Sequence, residues 1–135
     1  VTIETVGRTL GLILADDDDD IRNLVAIAVA RAGFELIDEL SDGDAAWEAI
    51  QSFAPDIVVL DVAMPGKTGI EISRLIRADP VLSGIRVILL SAAVDQDSQQ
   101  VGLDAGADEY FTKPFSPRDL ARRLADVAVE ITERS

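Results

Sequence analysis

The chain has no cysteine and no histidine among its 135 residues. Without cysteine, neither a disulfide nor a thiolate metal site can form, and no redox compartment can be read from thiols. Without histidine, the usual zinc ligands, histidine-based triads and imidazole general bases are excluded. Positive charge is scarce as well: 12 Lys and Arg stand against 25 Asp and Glu, a net charge of -13. Phosphate backbones and anionic lipids repel such a surface, so direct binding to nucleic acid or membrane is not expected. No apolar run approaches the roughly 20 residues of a membrane span, and no signal peptide is visible. The expected location is the cytoplasm. The first residue is Val1 and not Met, which fits an excerpt of a longer chain or a processed product equally well. What remains for chemistry is carboxylates, hydroxyls, lysine, arginine and the backbone.

The length fits one domain, large enough to bury roughly two-thirds of its unfolded surface without staples. Residues 1–8, "VTIETVGR", have no period and read as a tail; residues 9–133 read as the domain. Within it, short apolar runs alternate with segments of helical period. "LGLILA" (10–15) and "DIVVLD" (56–61) are continuous apolar runs, as expected of strands covered on both faces. "FELID" (34–38) is a weaker, alternating strand nearer an edge, and "RVILLSA" (86–92) and "EYFT" (109–112) complete a set of five. Between them, Ile21, Leu24, Val25 and Ala28 follow helical spacing, with Gly33 as the stop. Ala46, Ile50 and Phe53 mark one face of a second helix, and Trp47 reads as packing. "GIEISRLIRA" (69–78) ends at Pro80. "DSQQVGLDAGA" (97–107) is short and polar. Leu120, Leu124, Val127 and Ile131 mark a terminal amphipathic helix that opens with Pro117. Five strands joined by helical crossovers predict a doubly wound α/β fold, a parallel sheet with helices on both faces.

Ligands of such sheets sit outside the carboxyl ends of the strands. The first predicted strand runs into Asp16 and Asp17, the third ends at Asp61, the fourth at Ser91, and the fifth at Lys113 before Pro114. Two carboxylates about 4 Å apart repel by roughly 4 kcal/mol at an effective dielectric near 20. Three together therefore call for a cation. Oxygen-only side-chain ligands point to a hard ion, with magnesium favoured where phosphate also binds. Taken alone, "DDDDD" (16–20) is a solvated face. Its position after a buried strand, opposite Asp61 and Lys113, changes that reading for Asp16 and Asp17. Asp18, Asp19 and Asp20 keep the ordinary role of carboxylates at a helix start.

The motifs "ILADDD", "IVVLDVAMPGKTGIE", "VILLSA" and "AGADEYFTKPF" occur in this order, each separated by one βα unit. Over about residues 10–130 the chain resembles the CheY-like receiver domain of two-component response regulators. The resemblance implies a flavodoxin-like sheet of strand order 2-1-3-4-5 and a set of roles. Asp61 would accept a phosphoryl group. Mg²⁺ would be held by Asp17 directly, by Asp16 mostly through water, by Asp61 and by the backbone carbonyl of Ala63. Ser91 and Lys113 would contact phosphoryl oxygens, the peptide before Pro114 would be cis, and Tyr110 would be the aromatic switch paired with Ser91. The implied partner is a sensor histidine kinase or a histidine phosphotransfer protein. An output domain or downstream protein would read the fourth helix, fifth strand and fifth helix. A second copy of the chain is a further candidate partner. The expected role is a signalling phosphoacceptor that catalyses only its own phosphorylation and dephosphorylation.

The chain also departs from the family pattern. Serine stands at 91 where threonine is common, and alanines at 63 and 93 give little cover to the site. Residues 95–109 hold no lysine or arginine, whereas Arg118, Arg122 and Arg123 lie in the last helix. The basic residue through which winged-helix regulators pair their fourth helices is absent. Two alternatives stay open on sequence alone. One is a receiver-like interaction module that is never phosphorylated. The other is a phosphatase of the haloacid dehalogenase type, which would want an acidic residue where Ala63 stands.

Overall fold

A computed structural model describes residues 9–134; the predicted tail at 1–8 lies outside the described residues. Strands and helices alternate strictly: β1 (Gly11–Ala15), α1 (Asp19–Arg31), β2 (Glu35–Leu40), α2 (Gly43–Phe53), β3 (Ile57–Asp61), α3 (Gly69–Ala78), β4 (Arg86–Ser91), α4 (Gln96–Asp104), β5 (Glu109–Thr112) and α5 (Pro117–Arg134). The strands form one parallel sheet in the order β2-β1-β3-β4-β5. This is the doubly wound, flavodoxin-like fold that the alternation predicts. Its order reverses between β1 and β3, which opens a crevice beyond their carboxyl ends.

Alternation along each strand builds two cores. Leu12, Leu14, Ile57, Val59, Ile88 and Leu90 pack on one face with Val25 and Ala28 of α1 and Leu120, Leu124 and Val127 of α5. Ile13, Val58, Leu60, Val87 and Leu89 pack on the other with Ala46 and Ile50 of α2 and Ile72 and Ile76 of α3. Successive side chains of a strand point to opposite faces, so a run such as "IVVL" feeds both layers. The helices start on capping side chains. Asp18 accepts from the amides of Asp20 and Ile21 at 2.9 and 3.2 Å, and Thr68 and Glu71 form a reciprocal capping box. Part of the aspartate run is thereby spent on starting α1.

Three sequence expectations shift. Leu24 is 38% exposed, because α1 buries Val25, Ala28 and Val29 and Leu24 sits about 90° from the centre of that stripe. Phe53 is 56% exposed; it lies in a shallow groove with Asp38 and Leu40 of the edge strand β2, where the sheet ends. β2 itself runs two residues further than its apolar pattern, to Leu40, and shifts register between Leu12 and Ile13. An edge strand that is half solvated tolerates the charges that mask it in sequence. Leu60→Ala, at a fully buried position, should lower unfolding free energy by about 3 kcal/mol. Val81→Ala, at an exposed one, should change it by less than about 0.5 kcal/mol. Urea titration reads both as midpoint shifts at constant slope.

Candidate functional site

Register alone brings the two key acids side by side. β1 and β3 pair Ala15 with Leu60, so the next residues, Asp16 and Asp61, are neighbours across the crevice. Carboxylate oxygens of Asp16, Asp17 and Asp61 all lie within 4.8 Å of one another. Asp16 and Asp61 are buried while Asp17 is exposed, so the cluster opens to solvent on the Asp17 side. β4 pairs Ser91 with Thr112, which sets Lys113 just beyond the edge. Its Nζ stands 2.9 Å from Asp16 Oδ2 and 3.2 Å from Asp61 Oδ1. The Lys113–Pro114 peptide is cis.

One ammonium thus touches two of the three carboxylates. Burial and the charge of Asp16 push the Asp61 carboxyl up to about 6, and Lys113 offsets this only in part. Burial draws the Lys113 ammonium down, but its contacts with Asp16 and Asp61 outweigh that and hold it above the ordinary lysine value. Asp16 Oδ2 is fully buried, and its partner is the Lys113 ammonium at 2.9 Å, an ion pair. A buried anionic oxygen inside an all-oxygen cluster fits a hard divalent cation such as Mg²⁺.

The loop from β3 to α3 closes the site. Ala63 N donates to Asp61 Oδ1 at 3.4 Å, and Val62 N donates to Leu90 O at 2.8 Å. Gly69 opens α3 against the Asp61 backbone, where a Cβ would fall 2.5 Å from the Asp61 carbonyl oxygen. Ser91 and Tyr110 lie on the other face of the sheet, with Leu89, whereas Asp61 shares its face with Val59. Ser91 Oγ accepts from Ala93 N at 3.0 Å, and Tyr110 donates to the Ala93 carbonyl at 3.2 Å. Sequence reasoning missed Arg22. Its guanidinium donates to the Asp16 carbonyl at 2.7 Å, pairs with Asp19, and reaches Glu39 of β2 at 3.4 Å. The available signal was a lone cation one turn into a helix that opens on aspartates.

Fold and site together define a CheY-like signalling domain. The chain superimposes on the chemotaxis response regulator CheY4 of Vibrio cholerae with a TM-score of 0.81 at 28% identity, covering 89% of this chain and 99% of that one. It superimposes on the signal receiver domain of the putative response regulator NarL from Mycobacterium tuberculosis with a TM-score of 0.83 at 27% identity, covering 90% and 98%. Residues 12–125 match the response regulator receiver domain, and the chain belongs to that family. Among its relatives, the phosphate regulon transcriptional regulatory protein PhoB of Pseudomonas aeruginosa is 39% identical over 90% of this chain and 52% of its own length. The DNA-binding response regulator MtrA of Mycolicibacterium smegmatis is 35% identical over 84% of this chain and 48% of its own. The chain therefore spans about half the length of these relatives.

The raised carboxyl has a stability consequence whose sign is fixed. Folded Asp61 holds its proton to about pH 6, whereas the unfolded side chain releases it near 3.8. The folded state binds more protons between those values, so metal-free stability falls as pH rises through that window and stays low above it. The effect should be on the order of 1–2 kcal/mol once water at the open mouth is allowed for. With chelator present, Asp61→Asn should raise the melting temperature at pH 8 and flatten its dependence on pH between 4 and 7, as thermal unfolding across that range will show.

Proposed function

We propose that residues 9–133 form a phosphoacceptor receiver domain in which Asp61 takes a phosphoryl group from a phosphohistidine on a sensor kinase or histidine phosphotransfer protein. The observation that carries this is the meeting of Asp16, Asp17, Asp61 and Lys113 at one sheet edge. An Asp61 oxygen attacks phosphorus, the phosphorus–nitrogen bond breaks, and the imidazole leaves with the electron pair. In the return step water attacks phosphorus, the Asp61 oxygen–phosphorus bond breaks, and the free carboxylate and inorganic phosphate are restored. The chain so catalyses its own phosphorylation and dephosphorylation and serves as a switch. Asp16, Asp17, Asp61 and the Ala63 carbonyl would hold Mg²⁺, which when bound supplies charge neutralisation between two anionic partners. Lys113, already beside Asp61, leaves the Asp16 pair to meet a phosphoryl oxygen. Ser91 turns its hydroxyl towards another, and Tyr110 registers that movement at the α4–β5–α5 surface. Phosphate biases that surface only through contacts that differ between the two states.

Ala63 is exposed and Ala93 half-buried, so side chains leave water an open path to the phosphoryl group, and its lifetime should not be unusually long. Cytoplasmic location fits a kinase partner, and among the described residues no helix is long and apolar enough to cross a membrane. The net charge of -13 supports reading the domain as one that does not itself touch DNA. Any DNA contact of a longer protein would fall to a separate output domain. Basic residues for pairing copies through α4 are missing, and Arg123 of α5 is engaged by Glu109 and Asp126 of its own chain. Both features argue against winged-helix-style dimers.

Asp61→Asn should abolish uptake of acid-labile phosphate from acetyl phosphate, and chelation of Mg²⁺ should do the same to the unmodified chain. Lys113→Ala should slow uptake by about a hundred- to a thousandfold, the scale of removing one charge-stabilising donor. Radiolabel retained by Asp61→Asn would overturn the acceptor assignment. Turnover of a generic phosphomonoester would favour the dehalogenase alternative.

A further inference from the structure

Asp16 and Asp17 are neighbours in sequence but are held in different ways. The Asp16 amide donates to Leu40 O at 3.1 Å, its Oδ1 accepts from Asp18 N at 2.9 Å, and its Oδ2 meets Lys113 at 2.9 Å. Asp17 is exposed. Among the described residues no hydrogen bond or ion pair holds its carboxylate. The direction of that carboxylate is set by the backbone that carries it. The peptide joining Asp16 to Asp17 is a rigid plane, so fixing its oxygen fixes how Asp17 leaves β1. Arg22 Nη1 donates to that oxygen, the Asp16 carbonyl, at 2.7 Å. The same guanidinium pairs with Asp19 of α1 and lies 3.4 Å from Glu39 at the end of β2. The Arg22 side chain is only 17% exposed. A planar fork can serve oxygens on three segments at once, which a lysine ammonium does poorly.

We propose that Arg22 is a positioning residue for the cation site: it holds the Asp16–Asp17 peptide so that the Asp17 carboxylate stays with those of Asp16 and Asp61. The importance of this rests on reading the three acids as a Mg²⁺ site; the hold on the peptide does not. The sign of the effect separates positioning from charge. Arg22 is a cation beside a site for a dication, so by charge alone its loss should tighten Mg²⁺ binding. A role confined to stapling α1 to β2 would lower stability and leave affinity where charge puts it. Only a hold on the ligands themselves makes a neutral variant bind more weakly. Loss of partners that orient metal ligands costs about 10- to 100-fold in affinity.

Calorimetric titration of the full chain with Mg²⁺ alone, without a phosphodonor, tests this. Arg22→Met should weaken Mg²⁺ binding by about tenfold or more. Glu39→Gln removes only the link to β2, an exposed contact, and should change affinity by less than about threefold. Unchanged or tighter binding in Arg22→Met overturns the proposal, as does an equal loss in Glu39→Gln. A metal-free measurement stands beside the titration. The Asp18 amide is bonded to Asp16 Oδ1, and its hydrogen exchange in chelator, followed by NMR, should be about tenfold faster in Arg22→Met. Amides of β5 should exchange as in the wild type. An Asp18 rate equal to that of the wild type overturns the hold on the peptide. If the wild-type chain binds no Mg²⁺, the cation reading fails, and the exchange rates still decide what Arg22 does. Should Arg22→Met not fold, Arg22→Lys keeps the charge but loses the fork. Severalfold weaker Mg²⁺ binding is then expected, and wild-type affinity overturns the proposal.

Discussion

Three carboxylates within 4.8 Å of each other, with a single ammonium touching two of them, form the constraint around which the molecule is built. Each pair of like charges at such a distance repels by about 4 kcal/mol at an effective dielectric near 20. The cluster is therefore unfavourable for the fold, and it persists because the rest of the chain over-determines it. β1 and β3 are buried along their whole lengths and carry Asp16 and Asp61 at their carboxyl ends. Neither strand can slip by a residue without turning its apolar side chains to the wrong layer. The acids are held where solvation is poorest for them, and the raised Asp61 carboxyl is the measure of that strain. An arriving cation would relieve that repulsion.

The alternation of the sheet then divides these side chains between its two faces. Asp61 falls on the face of Val59 and Leu90, while Ser91 and Tyr110 fall on the face of Leu89. The carboxylates connect to α4 through the carboxyl ends of β3 and β4 and the loops that leave them, and to β5 through Lys113. Those connections are short: Val62 N to Leu90 O at 2.8 Å, Ser91 Oγ to Ala93 N at 3.0 Å, and Ala93 O to the tyrosine hydroxyl at 3.2 Å. α4 is the element best suited to respond. It buries one residue and lies over a cavity, whereas α1 and α5 pack on each other and contribute Val25, Ala28, Leu120, Leu124 and Val127 to the core. Low local packing is the usual property of elements that move.

Much of this was legible without coordinates, for a physical reason. Buried parallel strands need continuous apolar runs, and a carboxylate that ends such a run is placed by the run itself. Asp16, Asp61, Ser91 and Lys113 could thus be assigned to one edge from "LGLILA", "DIVVLD", "RVILLS" and "EYFTK". Edge behaviour was harder to read. β2 continues to Leu40 through Asp38 and Glu39 because half its surface is wet, and charged residues there are indistinguishable from loop. Leu24 and Phe53, placed at helical spacing by the sequence, are exposed, because spacing gives a helix face but not the width of the strip that neighbours cover.

Sequence by itself determined the alternation of strands and helices, the excluded chemistries, and which oxygens gather at the sheet edge. These follow from local period and composition, which each short segment carries alone. Tertiary structure decided the rest. It buried Asp16 Oδ2 completely, gave Lys113 two acids to answer, and recruited Arg22 to the Asp16 carbonyl. Distances between side chains on different elements depend on how whole layers pack, and no single segment contains that information.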